Sequence, residues 1–317
     1  MGLAPDPAED IAREALKPEG GCKKCGSDVR IRWGTSRGRP RWRCKACGFT
    51  GTENGCPPHK KTALRVIAAA HELYFDGLSL KKTARQLGKL LGVRKDKSAI
   101  WRWITSYPEA VSEFLGNFRA LTGPTWCADE MAIKCAWERE PDKWLWNVMD
   151  KESRFILAHM ATKWGREEEH AVALFRRARQ AAFGTPELIV TDRMPAYAEG
   201  IRKNFYSNRE GRLHLNRIHL RNAKANNNTM ERKWGTDRER TKVMRSFKRA
   251  DSAAAILAGA TVHYNFLREH EALGGKTPAA EAGIALPFED GWGDLIRWAT
   301  YWNGRRGLAL PMAGIGI

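Results

Sequence analysis

The stretch NNNTMERKWGTDRERTKVMRSFKR, residues 226–249, has the composition of a helix. It contains no proline, few β-branched residues and a single internal glycine, and such a stretch favours helix formation. Glu231 and Arg238 are seven residues apart, which places them two turns apart on one helix face. A carboxylate in so basic a setting is typical of a site that holds metal ions and a polyanion together. A charged helix exposed to solvent is the plainer alternative.

Two upstream segments each place an acid on or beside a predicted strand. WCADEMAIK, residues 126–134, carries Asp129 in mid-strand, where a half-buried charge is costly unless it binds a metal or a partner. ELIVTDRMPAY, residues 187–197, carries Asp192 just after an apolar strand, a position that also suits a turn or a helix cap. Together with Glu231, these carboxylates are the kind of set that holds two Mg²⁺ about 3.5–4 Å apart for phosphoryl transfer.

Other acidic side chains near these three residues are considered as ligands. Glu130 should point to the opposite strand face, because side chains alternate along a strand. Glu239 competes with Glu231, since it lies about 80° away around the helix. Asp150 is a candidate for a supporting carboxylate, and Trp234 is predicted to be a packing residue.

From about residue 125 to residue 284 the chain resembles the DDE transposases of insertion sequences, and most closely the insertion-sequence-six family. The resemblance rests on four motifs in order: WCADEMAIK, VTDRMPAY, NNxxER at residues 227–232, and HYNFLREHEALGGKTPAAEAGI from residue 263. It implies an RNase H-like α/β fold, a mixed five-stranded sheet with flanking helices. It also implies a catalytic, metal-binding triad of Asp129, Asp192 and Glu231, and a DNA-contacting Arg238.

The activity that this resemblance implies is that of a polynucleotidyl transferase. Such a protein binds the terminal inverted repeats of its element, cleaves there, and joins the 3′-OH to target DNA with two Mg²⁺ or Mn²⁺ ions. Its partners would be double-stranded DNA and further copies of itself, as a homodimer or higher oligomer. A non-enzymatic DNA-binding regulator derived from a transposase, and a nuclease of the same fold, are the alternatives.

Composition independently favours a nucleic-acid partner. The 317 residues include 54 Lys+Arg against 36 Asp+Glu, a formal net charge of +18, and such an excess suits a polyanion. The sequence has no run of about 20 apolar residues and no signal-peptide pattern. We therefore expect no membrane partner and a cytoplasmic, nucleoid-associated protein whose cysteines stay reduced.

Four of the seven cysteines form two C-x₂-C pairs separated by eighteen residues. Four thiolates at this spacing predict one structural Zn²⁺ in a zinc ribbon with two short strands between the pairs. The predicted zinc ligands are Cys22, Cys25, Cys44 and Cys47. Basic residues at alternate positions would share one strand face, either tracking phosphates or simply solvated; these are Arg37, Arg39, Arg41 and Arg43.

The segment after the ribbon predicts three helices in helix-turn-helix order: TALRVIAAAHELYFDG, SLKKTARQLGKLLG and KSAIWRWITSY. In the third helix, Ile100, Trp103 and Ile104 should face the core. A small helical linker domain is the alternative to DNA binding. The residues predicted to face outward toward DNA are Lys97, Ser98, Trp101 and Arg102.

Four segments follow from these patterns in a chain with room for two or three domains. The ribbon and a flexible lead occupy residues 1–57, and the helix-turn-helix module with its linker occupies residues 58–123. The catalytic domain covers residues 124–284. The tail, residues 285–317, is expected to include an amphipathic helix that packs back on that domain or on a second subunit.

Overall fold

The computed structural model describes residues 21–52, 55–133, 143–162, 165–192, 194–205, 214–215, 227–244, 247 and 250–306. The chain divides into two compact units. The first takes its residues from 1–74, 80–117 and 286–317, and the second from 75–79 and 118–285. Among the described residues, no helix has the length and apolar character needed to cross a membrane.

The first unit begins with a three-stranded antiparallel sheet in the order β1-β2-β3. Its strands are β1 (Arg30–Ser36), β2 (Arg39–Cys44) and β3 (Thr50–Thr52). The two strands predicted between the cysteine pairs are confirmed, and β3 was not predicted. Arg37 lies in the hairpin turn with φ 52°, beside Gly38 with φ 74°. It therefore does not continue the strand face of Arg39, Arg41 and Arg43.

Four helices follow: α1 (Leu64–Phe75), α2 (Leu80–Leu91), α3 (Lys97–Ser106) and α4 (Pro108–Leu115). The three helices predicted here are confirmed. Gly92, with φ 65°, ends α2, since glycine adopts this left-handed conformation without steric cost. Asp96 caps α3, its Oδ1 accepting the amide of Ala99 at 2.7 Å. Ile100, Trp103 and Ile104 are buried as predicted.

The last helix of the described chain, α10 (Trp292–Arg305), also belongs to the first unit. The rings of Trp298 and Trp302 lie 6.3 and 6.4 Å from the ring of Phe114 on α4. Arg305 Nε donates to the carbonyl of Cys25 at 2.7 Å. The described part of the tail therefore packs on the N-terminal helices and ribbon.

The second unit is built on a five-stranded mixed sheet in the order β6-β5-β4-β7-β8. β4, β5 and β6 are antiparallel neighbours, whereas β7 is parallel to β4 and β8 is parallel to β7. The sheet therefore brings the first and fourth strands of this unit side by side. The bounds are β4 (Thr125–Ile133), β5 (Lys143–Asp150), β6 (Ile156–Thr162), β7 (Leu188–Val190) and β8 (His214–Leu215).

The helices of this unit lie between and after the strands. They are α5 (Glu168–Ala181), α6 (Pro195–Phe205), α7 (Asn228–Met244), α8 (Ala250–Phe266), a 3₁₀ turn (Glu271–Leu273) and α9 (Pro278–Glu281). On one sheet face, buried Trp146 packs edge-on against Tyr197 of α6, with centroids 5.6 Å apart, and Tyr197 in turn contacts Phe175 of α5. Because side chains alternate along β5, Asn147 points to the opposite face.

Candidate functional site

The four cysteines of the two C-x₂-C pairs come together as predicted, with all four sulfurs within 4.8 Å of one another. Cys22 Sγ lies 3.6 Å from Cys47 Sγ, and Cys25 Sγ lies 3.7 Å from Cys44 Sγ. Four sulfurs at the usual Zn–S length of about 2.3 Å would stand about 3.8 Å apart in a tetrahedron. The cluster therefore fits one tetrahedral Zn²⁺.

Burial makes the thiolate form of Cys22 unfavourable in the absence of a cation. It raises the pKa of the Cys22 thiol to about 11, because a thiolate is poorly solvated inside the protein. A bound cation would compensate the thiolate charges, and Zn²⁺ binds cysteine as the thiolate. In a ribbon this small, metal binding and folding are then a single event.

A second group of possible metal ligands lies in the five-stranded sheet. One carboxylate oxygen each from Asp129, Glu130 and Asp192 lies within 4.8 Å of the other two. Asp129 is on β4, and Asp192 follows β7 two residues after its last residue, Val190. The parallel pairing of Cys127 with Val190 brings these two acids together. All the donors are oxygens, which suits a hard cation such as Mg²⁺.

The carboxylate of Asp129 is held on both oxygens. Oδ1 accepts the amide of Glu130 at 3.0 Å, and Oδ2 accepts the indole N–H of Trp234 at 2.9 Å. Burial raises the pKa of Asp129 to about 6; the negative charges of Glu130 and Asp192 also raise it, and the indole hydrogen bond opposes them. A carboxylate in this setting is favoured in its charged form by a bound cation.

Asp192 is half-buried at the start of the loop between β7 and α6. Its Oδ1 accepts the amide of Met194 at 2.9 Å. This is a local Asp turn. Asp192 therefore has the turn role that its sequence position suggested, and it also belongs to the carboxylate group.

Glu130 lies on the strand face predicted for it, but its carboxylate has a contact that was not predicted. It is paired across the strands with Trp146, on the face that α6 covers, as the alternation of side chains requires. Its carboxylate nevertheless reaches the group containing Asp129 and Asp192. Among the described residues, β7 pairs with β4 only at Thr125–Cys127. In this part of the chain that edge of β4 has no strand partner beside Glu130, so a long side chain can reach around it.

Glu130 is also strongly fixed. Tyr197 donates its hydroxyl to Oε2 at 2.6 Å, and Arg166 Nη1 donates to Oε1 at 3.0 Å. Its side chain is only 3 % exposed. These contacts neutralise part of the charge of the group and fix its geometry.

Glu231 and Arg238 both lie exposed on α7. Within the described residues, Glu231 is outside the group of carboxylates within 4.8 Å of one another, and the side chain of Glu239 lies outside the described part. Trp234 stands three residues after Glu231 and four before Arg238, so all three share one helix face. Through its bond to Asp129, Trp234 places that face of α7 beside β4.

From its sequence context Trp234 was predicted only to pack, and its contact with the site was not predicted. The signal available was its spacing from Glu231 and Arg238, which marks it as part of their helix face. Asp150 is not a supporting carboxylate. It is fully buried, and its oxygens accept the amides of Gly123 and Ser153, each at 2.9 Å. The acid therefore fixes the β5–β6 turn.

Asn147 is a further polar residue beside the site. It pairs with Asp129 across β4 and β5, so the two side chains project from the same sheet face. Asn147 is fully buried, and neither polar atom of its side chain has a protein hydrogen-bond partner in the described chain. A buried amide left unpaired costs free energy. A polar group that enters the site could therefore be bound by the side chain of Asn147.

The predicted DNA contacts of the first unit lie on the exposed side of α3. Lys97, Ser98 and Arg102 are exposed, and Arg102 Nε donates to the carbonyl of Ser98 at 3.3 Å. Trp101, predicted to face outward with them, is half-buried. The DNA-binding role of these residues stays a prediction.

Residues 123–270 match a family model described as a DDE domain, of the IS240 transposase type. The matched segment contains Asp129, Asp192 and Glu231. A search of curated proteins found no match to the chain.

Proposed function

From the match of residues 123–270 to a DDE domain of the IS240 transposase type, we propose that the protein is a DDE transposase that binds the ends of an insertion sequence and transfers DNA strands. The observation that carries the proposal is the meeting of Asp129 and Asp192 inside the matched segment, with carboxylate oxygens within 4.8 Å. A non-catalytic DNA-binding protein has no need of such a costly cluster of like charges.

The strand arrangement supports an RNase H-like fold for this domain. Numbered within the domain, its strands run in the order 3-2-1-4-5, the first three antiparallel and the last two parallel to the first. That is the arrangement which the family resemblance implies. It brings an acid on the first strand beside an acid after the fourth.

We assign Asp129, Asp192 and Glu231 as the ligands of two Mg²⁺ or Mn²⁺ ions. When bound, these ions would activate the attacking hydroxyl and stabilise the leaving oxygen of a phosphodiester. Trp234 orients Asp129, and Tyr197 and Arg166 hold Glu130 next to it. Glu231 would complete the set from α7, one turn before Trp234.

The reaction has two steps at one site. Water first cleaves a phosphodiester at the element's end and leaves a 3′-OH; that hydroxyl then attacks a phosphodiester of target DNA and displaces another 3′-oxygen. No covalent link between protein and DNA is needed. Arg238 would contact phosphate beside the carboxylates, since it lies on the same face of α7 as Trp234.

Binding of the ends is assigned to the first unit. Ser98 and Arg102 lie one turn apart on the side of α3 away from buried Ile100 and Trp103, and Lys97 is exposed in the first turn of the helix. A third helix with this distribution suits the recognition helix of a helix-turn-helix module. Joining two element ends would engage two or more copies of the chain.

The proposal is tested by strand joining. The substrate is duplex DNA carrying the inverted repeats that flank the gene, with target plasmid and Mg²⁺ or Mn²⁺. Wild-type protein should give joined product, and Asp192→Ala should give none while binding the ends with unchanged affinity. Glu187→Ala is the matched control, because Glu187 is an exposed acid five residues before Asp192 and should join normally.

The other outcomes separate the alternatives. Joining by Asp192→Ala would refute the assigned ligand set. Tight end binding without chemistry from the wild type would support a regulator derived from a transposase. Nicked product without joining would indicate a nuclease of the same fold.

A further inference from the structure

The ribbon sheet has one face that projects away from its cysteine cluster. Ile31 lies directly opposite Arg43, and Arg41 and Arg43 lie opposite Thr52 and Thr50. The register of β1 shifts between Arg32 and Thr35, and the contact of the Trp33 ring with the guanidinium of Arg43 places Trp33 on this same face. We call this set the outer ribbon face; its members are Ile31, Trp33, Arg41, Arg43, Thr50 and Thr52.

Apolar groups on and beside this face are unusually exposed. Val29 is 58 %, Ile31 37 % and Trp33 46 % exposed, at alternate positions of one short segment. They are three of the seven large hydrophobic side chains that are exposed in the described part of the chain. Single exposed apolar residues are ordinary, whereas a cluster of them marks an interaction surface.

The charge around these side chains identifies the class of partner. Residues 21–52 contain nine Lys and Arg and one acid, Asp28, a net charge of +8 against +18 for the whole chain. Four thiolates with Zn²⁺ would still leave the ribbon strongly positive. Such a surface attracts a polyanion.

Arginine and tryptophan are already arranged together on this face. The guanidinium of Arg43 lies 4.7 Å from the ring centroid of Trp33, which is a cation–π contact. Arg41 Nη2 donates to Thr50 Oγ1 at 2.9 Å. Both arginines are therefore held on the sheet next to the exposed indole.

We propose that the outer ribbon face binds unpaired DNA, with Trp33 stacking on a base and Arg41 and Arg43 contacting the adjacent phosphates. An aromatic side chain beside basic residues is the arrangement by which proteins bind single strands. In a duplex each base is covered by its neighbours, so an indole meets a base plane only at an end, a nick or an open region.

An anionic membrane is the competing partner for a basic surface with exposed apolar residues. Membrane association by such a surface grows with the apolar area that enters the lipid, and three side chains on a short ribbon offer little. The arginines also point to bases, because guanidinium groups stack on aromatic planes.

This inference deepens the proposed function and rests on it in one respect. Cleavage at an element's end is the source of the unpaired or frayed DNA that the ribbon would hold. The binding itself needs no catalysis, so it is measured without added divalent metal and in the Asp192→Ala background.

The experiment measures binding of the full chain to fluorescent oligothymidylate and to a duplex of equal length by anisotropy. Trp33→Ala should weaken oligothymidylate binding about five- to hundredfold, the range for loss of one stacked base, and leave duplex binding nearly unchanged. Trp33→Phe should retain binding. Phe183→Ala is the matched control, because Phe183 is 48 % exposed and carries Arg119 4.8 Å from its ring centroid, yet lies outside the ribbon.

Zinc content of each variant shows that its ribbon is folded. The inference is overturned if Trp33→Ala binds oligothymidylate like the wild type, or if it weakens duplex and single-strand binding equally. It is also overturned if Trp33→Ala instead abolishes binding to anionic lipid vesicles while binding to oligothymidylate persists. If the wild-type protein binds oligothymidylate through Trp33 but joins no strands, the ribbon inference stands and only the proposed catalysis is contradicted.

Discussion

Among individual residues, the buried ion pair on α7 is the most sensitive to change. Lys233 Nζ lies 2.6 Å from both carboxylate oxygens of Asp237, and the two side chains are 1 % and 5 % exposed. Lys233 Nζ also lies 5.0 Å from the ring centroid of Tyr264 on α8. Desolvation offsets much of the attraction in such a pair, but a single unpaired charge left in its place is costly.

Asp237→Ala should therefore lower the free energy of unfolding by about 3–5 kcal/mol, because Lys233 would lose its buried counter-charge. The measurement is chemical denaturation of the purified protein. The control is the double variant Lys233→Met with Asp237→Leu, which should recover most of the loss. A double variant as unstable as Asp237→Ala would show that shape, and not charge, decides the packing of α7.

At the scale of elements, α7 and α8 tolerate glycine for different reasons. A methyl group added at Gly235, inside α7, would meet no atom of the described residues within 4 Å beyond its own helix backbone. One added at Gly259, inside α8, would meet the ring of Phe75. The first glycine leaves α7 more flexible than alanine would, and the second allows a close approach that packing requires.

Gly235→Ala should raise the free energy of unfolding by roughly 0.5–1 kcal/mol, since alanine loses less backbone entropy in a helix. Gly259→Ala, the matched change in the neighbouring helix, should lower it, because Phe75 must move. Thermal unfolding of both variants beside the wild type measures this. A destabilised Gly235→Ala protein would show that α7 must bend or close against a neighbour at that point.

For the whole molecule, the folding of the first unit depends on contacts between α10 and the N-terminal ribbon and helices. Trp298 and Trp302 of α10 contact Phe114, and Trp292 donates its amide to Glu72 Oε1 at 3.3 Å. Arg305 reaches the carbonyl of Cys25 at the ribbon. The first unit is therefore completed only by residues that the chain adds last.

A chain ending at Ala285 should lose the folded first unit, because Phe114 and its neighbours would be left without their aromatic partners, each such loss costing about 3–5 kcal/mol. Zinc content and binding of duplex element ends measure this. A chain ending at Arg306 keeps α10 and is the matched control. Full zinc content and end binding in the shorter chain would show that α10 is dispensable.

Much of the candidate site could be predicted because its signals are local. Asp129 and Asp192 each stand on or after a strand whose apolar pattern is visible in the sequence. The cluster of four cysteines was predictable for the same reason, since each C-x₂-C pair forms a local turn that brings its two thiols together. The strands and helices that carry these residues were therefore predicted correctly.

The remaining contacts depend on how far a side chain extends and on which strand edges are paired. Neither can be predicted from the spacing of residues along the chain. Glu130 reaches the carboxylate group because β7 covers only part of β4. Trp234 contacts Asp129 because α7 packs against the sheet, and Asp150 is drawn into a turn by nearby amides.

The sequence by itself determined most of the strands and helices, the cysteine pairs and the positions of the acids, because each follows from local periodicity, spacing and charge. Only the tertiary structure decided that α10 completes the N-terminal unit, that an indole holds Asp129, and that Trp33 stands exposed beside Arg43. These depend on which surfaces pack together across long separations in the chain, and that choice is made by the burial of apolar area over the whole molecule.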